Sequence, residues 1–66
     1  MELLIIKTGK DYIRVKDDKF HIVKLDKASV FPFEKLDLVK NHESSLKQQG
    51  FKAACIKKLI LTEEDL

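Results

Sequence analysis

The chain has 66 residues, of which 44% are hydrophobic and 36% charged, a composition typical of folded proteins and not of disordered tails. We expect residues 1–66 to form a single small α+β domain, whose core can supply only about 3–5 kcal/mol of stability at this length. The one cysteine excludes an intramolecular disulfide. No apolar run reaches the roughly 18 residues of a membrane span, and the N-terminus does not resemble a signal peptide, so the cytoplasm is the expected compartment.

Basic side chains slightly outnumber acidic ones and are unevenly placed. Lysine and arginine total 13 against 11 aspartate and glutamate, which gives a net charge of +2. Glu63, Glu64 and Asp65 stand together near the C-terminus, so the rest of the chain is mildly basic. Only Arg14 is an arginine, and arginine is the side chain best suited to bidentate recognition of phosphate and guanine. The charge pattern therefore argues against a dedicated sequence-reading nucleic-acid binder.

Three short strands are predicted in the first 25 residues. The segment ELLIIKT is aliphatic on both sides, while DYIRV and KFHIVKL alternate apolar with polar residues, which predicts strands at about 2–7, 12–16 and 20–25. Gly9 suits the first central position of a two-residue type II′ turn, whereas the link KDDK fits either a two-residue or a four-residue loop. The resulting antiparallel meander places six apolar residues on one core face, in the opposed pairs Ile6 with Ile13, Leu4 with Val15, Val15 with Phe20 and Ile13 with Ile22.

A helix is predicted after the meander. Pro32 suits the first helical turn, and Leu36, Val39 and Leu46 recur at about helical spacing on one side. Gly50 suits a left-handed C-terminal cap. The sequence therefore predicts a helix over about 33–49 that covers the core face.

The segment FKAACIKKLILT after this helix is ambiguous, because its small residues tolerate a helix while its aliphatic residues favour a strand at about 52–61. Taken as a strand that follows a right-handed crossover, it lies parallel to the first strand. The expected fold is α+β, with a four-stranded mixed sheet connected β-β-β-α-β in the order 3-2-1-4 and one helix packed on one face. Phe31 and Phe33 are expected to close the upper end of the core.

The sheet face that the helix leaves uncovered supplies the candidate binding residues. They are Leu3, Ile5, Tyr12, Arg14, Lys16, Lys19, His21 and Val23. Because an apolar centre with a polar edge is typical of protein–protein contacts, we interpret the chain as a non-catalytic interaction module that self-associates through this face as a homodimer, or binds another protein. The alternative is a nucleic-acid-binding module in which Tyr12 stacks on a base and the basic residues around Arg14 contact phosphates.

Residues that could assemble a catalytic or metal site are almost absent. The sequence has no Gly-rich phosphate loop, HExxH or CxxC motif, and its two histidines, His21 and His42, fall on different predicted elements. Cys55 stands beside two alanines and is interpreted as a small core side chain, not as a nucleophile. We therefore expect no enzymatic activity, no metal site, no cofactor and no membrane association.

Overall fold

Five strands and one α-helix make up the part of the chain that the structure, a computed structural model, describes: residues 2–60 and 62–65. In chain order they are β1 (Glu2–Thr8), β2 (Asp11–Lys16), β3 (Lys19–Val23), β4 (Phe31–Pro32), α1 (Leu36–Gln48) and β5 (Ala54–Ile60). Short 3₁₀ turns at Leu25–Lys27 and Phe33–Lys35 precede β4 and α1. The α+β class and the three opening strands are confirmed, and Leu61, the last residue of the predicted final strand, lies outside the described residues.

The two turns of the opening meander each contain two residues. Thr8 pairs with Asp11, and Gly9 has a φ of +62°, as the first central position of a type II′ turn requires. In the second turn Asp17 and Asp18 have φ values of +53° and +60°, which is the type I′ geometry whose twist matches that of the flanking strands. The predicted β2–β3 register is confirmed, since Ile13 pairs with Ile22 and Val15 with Phe20.

The turn between β2 and β3 can be stabilised by the residues that type I′ turns prefer. Asp17→Asn with Asp18→Gly places Asn-Gly at the two positions of positive φ, where we expect a gain of about 0.5–1 kcal/mol. For a chain of this size the thermal midpoint should rise by roughly 2–8 °C, which circular dichroism would measure. Asp18→Ala is the matched control and should lower the midpoint, because alanine disfavours positive φ. An unchanged midpoint in both variants would contradict the turn assignment.

β1 and β2 pair at only two residues each and then diverge. The short strand β4 lies beside β1 in the gap between them. The β1–β2 pairs are Lys7 with Tyr12 and Thr8 with Asp11, whereas Leu3 and Leu4 pair with Pro32 and Phe31 of β4. The predicted pairing of Leu4 with Val15 is therefore wrong, because Phe31 takes that place beside β1, and the predicted pairing of Ile6 with Ile13 does not form either.

Ser29 ties the returning segment to β2. Its backbone N–H donates to the Ile13 carbonyl at 3.1 Å, and its Oγ accepts a hydrogen bond from the Val15 N–H at 2.8 Å. Residues 29–32 thus lie between β1 and β2 and satisfy backbone groups of both strands. We call these four residues the wedge.

The last strand lies beside β1, as the predicted order requires, but it runs antiparallel. β5 pairs with β1 along its whole length, from Glu2 opposite Ile60 to Thr8 opposite Ala54. The predicted mixed sheet is wrong in this respect, since every pairing among the described strands is antiparallel. The reason is that residues 24–32 bring the chain back to the starting end of β1 before α1 begins. The helix then runs to the far end, and β5 must return in the opposite direction to β1.

The core lies between α1 and the face of the sheet that carries Leu4 and Ile6. Its buried residues are Leu4, Ile6, Ile13, Val39, Leu46 and Ala54. Phe31 packs against this core as predicted, but Phe33 is 46% exposed and its ring lies 5.8 Å from the Lys58 ammonium instead. Ile22 is 57% exposed, so its predicted place in the core is wrong. The helix packs over β1 and β5 and leaves this part of β3 uncovered.

The C-terminal end of α1 is a Schellman motif. Gly50 has a φ of +103°, its N–H donates to the Lys47 carbonyl at 3.2 Å, and the Phe51 N–H donates to the Leu46 carbonyl at 3.0 Å. The predicted glycine cap is confirmed. The motif turns the chain sharply toward the sheet, and Phe51 packs against the core directly after it.

Candidate functional site

The sheet face turned away from α1 collects residues from all five described strands, and we call it the open face. Cross-strand partners point to the same side of a sheet, so the register defines its members. They are Leu3, Ile5, Lys7, Tyr12, Arg14, Lys16, Lys19, His21, Val23, Pro32, Cys55, Lys57 and Leu59. All eight candidate binding residues from the sequence lie on this face, while their role in binding stays a prediction.

The charges of the open face all have one sign. The basic residues are Lys7, Arg14, Lys16, Lys19 and Lys57, and the strand positions of this face hold no aspartate or glutamate. The two ion pairs among the described residues, Lys24 with Asp11 at 3.2 Å and Lys58 with Glu2 at 3.4 Å, form outside this face. The face is therefore a concentrated cationic surface on a chain whose net charge is only +2.

Two of these cations were missing from the sequence-based set. Lys7 pairs with Tyr12 and Cys55, and Lys57 pairs with Ile5. Lys7 could have been identified from the alternation of β1, because it follows Ile5 by two residues. Lys57 could not, since its face depends on the pairing of β5 with β1, two strands far apart in the sequence.

The apolar residues of the open face are largely covered. Ile5 is only 4% exposed, and Leu3, Tyr12 and Val23 are half-buried. Because Ile5 faces away from the helix, the neighbouring side chains of the open face must shield it, as lysine stems commonly do. The Lys7 ammonium lies 5.6 Å from the centre of the Tyr12 ring, within the range of a cation–π interaction. The apolar centre predicted from the sequence is therefore not a free apolar surface.

An open cleft of about 540 Å³ adjoins the open face where the wedge meets β2. Its lining consists of Arg14, Val15, Lys16, Asp26, Lys27, Ala28, Ser29 and Val30. Arg14 and Lys16 belong to both the cleft and the open face, so the two cationic surfaces are continuous. Lys27 adds a third cation that no strand contributes, and Asp26 is the one acidic residue of the lining.

The side chains with chemical reactivity are dispersed. Cys55 lies half-exposed on the open face and not in the core, whereas His42 lies on α1 between the rings of Phe20 and Phe31, at centroid distances of 5.7 and 5.8 Å. Within residues 2–60 and 62–65, no three histidine, cysteine or acidic side chains converge on a common point suited to a metal ion. In the same ranges, no helix has the length and apolar character needed to cross a bilayer.

Comparisons of the chain with protein-family models, with curated proteins and with solved structures found no match.

Proposed function

We propose that the open face binds single-stranded nucleic acid. The observation that carries this proposal is the charge of that face: five lysine and arginine side chains and His21 project from four adjacent strands with no acidic residue among them. Cations grouped in this way attract a phosphate backbone and displace its counterions, which is the main source of affinity in sequence-independent binding. A predominance of lysine fits contact with the backbone better than the reading of base edges.

Tyr12 gives the face a means of contacting bases. It is half-buried in the row that also contains Lys7 and Val23, and Lys7 already lies against its ring. Aromatic rings on sheet faces stack on unpaired bases, and flanking cations hold the adjoining phosphates. Stacking of this kind needs bases that are not paired, so the proposed ligand is a single strand.

Self-association through the same face is less favourable on electrostatic grounds. A two-fold dimer would bring Lys7, Arg14, Lys16, Lys19 and Lys57 of one copy toward the same five residues of the other. Like charges held in contact are destabilising, and no acidic strand residue of this face would offset them. Of the apolar residues that would stabilise such a dimer, Ile5 is buried and Leu3 and Val23 are half-buried within the monomer.

The proposal is tested by titrating a labelled 12-nucleotide single strand with the protein at several salt concentrations, with fluorescence anisotropy as the readout. If all five cations contact phosphates, the logarithm of the association constant should fall against the logarithm of salt concentration with a slope of about −3.5. The same sequence as a duplex should bind more weakly, because its bases are not free to stack.

Two outcomes would contradict the proposal. The first is an absence of binding at low salt, and the second is affinity that does not change with salt. Analytical ultracentrifugation of the free protein provides the matched control, since a salt-resistant dimer would favour the homodimer interpretation of this face.

A further inference from the structure

We infer that the cleft beside the wedge is a nucleotide subsite. When a single-stranded nucleic acid is bound on the open face, one of its phosphates and one of its nucleosides occupy this cleft. This inference rests on the proposed function. The cleft begins where the open face ends, because Arg14 and Lys16 line both surfaces. A nucleic-acid strand that follows the cations of β2 therefore reaches the cleft through Arg14 and Lys16.

The lining of the cleft divides into groups suited to the parts of a nucleotide. Arg14, Lys16 and Lys27 supply three cations for a phosphate, and the arginine fork can donate two hydrogen bonds to it. Val30 offers apolar surface to a base or sugar, since it is 51% exposed in the free protein, whereas Val15 packs against the core. A volume of about 540 Å³ lies within the range of small-molecule sites.

Asp26 gives this subsite a chemical selectivity. Its carboxylate accepts hydrogen bonds and cannot donate them, so it favours groups that carry N–H or O–H, such as a ribose hydroxyl or the amino group of a base. It also repels a second phosphate. The lining thus fits a nucleotide with one phosphate better than a diphosphate or triphosphate.

The cleft is held in shape before any ligand arrives. The Ser29 N–H and Oγ bond to backbone groups of Ile13 and Val15, on either side of Arg14. Two hydrogen bonds of this kind fix the distance between the wedge and β2, which are the two walls of the cleft. A preformed site loses less conformational entropy when the ligand binds.

Lys27→Gln tests the subsite without altering the open face, because Lys27 belongs to the 3₁₀ turn and not to a strand. We expect the affinity for the 12-nucleotide strand to fall by about threefold to tenfold and the salt slope to lose about 0.7 in magnitude, as for one lost phosphate contact. Lys24→Gln is the matched control, since Lys24 lies on the same connection but outside the cleft lining. The Lys24→Gln variant should bind the 12-nucleotide strand as tightly as the wild type, apart from the small long-range effect of losing one positive charge.

A second measurement separates a nucleotide subsite from a simple anion site. Uridine 5′-monophosphate should cause saturable shifts in the backbone amide resonances of Ala28, Ser29 and Val30, and inorganic phosphate should bind more weakly at the same place. Equal binding of the two would overturn the nucleotide assignment.

The outcomes of the two proposals can be told apart. If Lys27→Gln binds the strand as tightly as Lys24→Gln and uridine 5′-monophosphate shifts none of these resonances, the subsite is excluded while binding by the open face stands. If the wild type binds no single strand but its cleft resonances respond to the nucleotide, the open-face proposal fails and the cleft is an independent nucleotide site.

Discussion

Replacement of Arg14 and Lys19 by glutamate should reduce the affinity for a single strand by about 100-fold at low salt, because two phosphate contacts are lost and two repulsive charges replace them. Both residues lie on the open face, on neighbouring strands. The fold should persist, since both substitutions are at exposed positions and the new carboxylate at position 19 would lie opposite Lys16 across the β2–β3 pair, where opposite charges are favourable. Anisotropy titrations measure the affinity, and circular dichroism verifies the fold.

The control for this variant makes the same change of net charge on the other side of the molecule. Lys35→Glu with Lys40→Glu alters two exposed residues at the start of α1 and within it, and an acidic side chain at position 35 suits the positive end of the helix dipole. We expect its affinity to fall by less than about fivefold, through long-range repulsion only. Equal losses in the two variants would mean that overall charge, and not the open face, determines binding.

The largest effect on stability is expected for Leu46→Ala. Leu46 is fully buried on α1 within the core cluster, and truncation of a buried leucine costs about 2–5 kcal/mol. That cost is comparable to the whole stability expected for a domain of this size, about 3–5 kcal/mol. The variant should therefore be largely unfolded at room temperature, with loss of the helical circular dichroism signal and of cooperative urea unfolding.

Leu38→Ala is the matched control for the core prediction. It makes the same substitution on the same helix, but Leu38 is 44% exposed, so we expect a change in unfolding free energy within about 0.5 kcal/mol. A thermal midpoint of Leu46→Ala within a few degrees of that of Leu38→Ala would show that the packing of α1 on the sheet is not what stabilises the domain.

Local sequence signals were sufficient for the parts of the fold that depend on neighbouring residues. The alternation in DYIRV and KFHIVKL predicted the β2–β3 register, and Gly9 and Gly50 predicted a tight turn and a helix cap. The direction of β5 was not predictable in this way, because it depends on the end of the sheet at which α1 begins. The wedge was also missed, since its contacts with β1 and β2 join residues far apart in sequence and its short strand has no periodic pattern.

The sequence predicted which residues share the open face better than it predicted how exposed they are. The eight residues chosen from the sequence do share one face, but the apolar centre expected from Leu3, Ile5 and Val23 is shielded in the structure. Alternation identifies the face on which a side chain lies and not how far its neighbours cover it. The positive charge of the predicted set was increased in the structure, because the register of β5 added Lys57 and the β1–β2 pairing added Lys7.

The pairing of β1 with β5 has a consequence for the synthesis of the chain. Residues 2–8 are made before residues 54–60, yet seven of their residue pairings wait for that later segment, and only two form with the adjacent β2. Until then an aliphatic strand, with Leu4, Ile5 and Ile6 in sequence, has one edge open to any other extended chain nearby. Strands in this condition associate with each other while their partners are absent. The open edge of β1 therefore persists until residues 54–60 have been made and have left the ribosome, and aggregation of the nascent chain is most favoured during that interval.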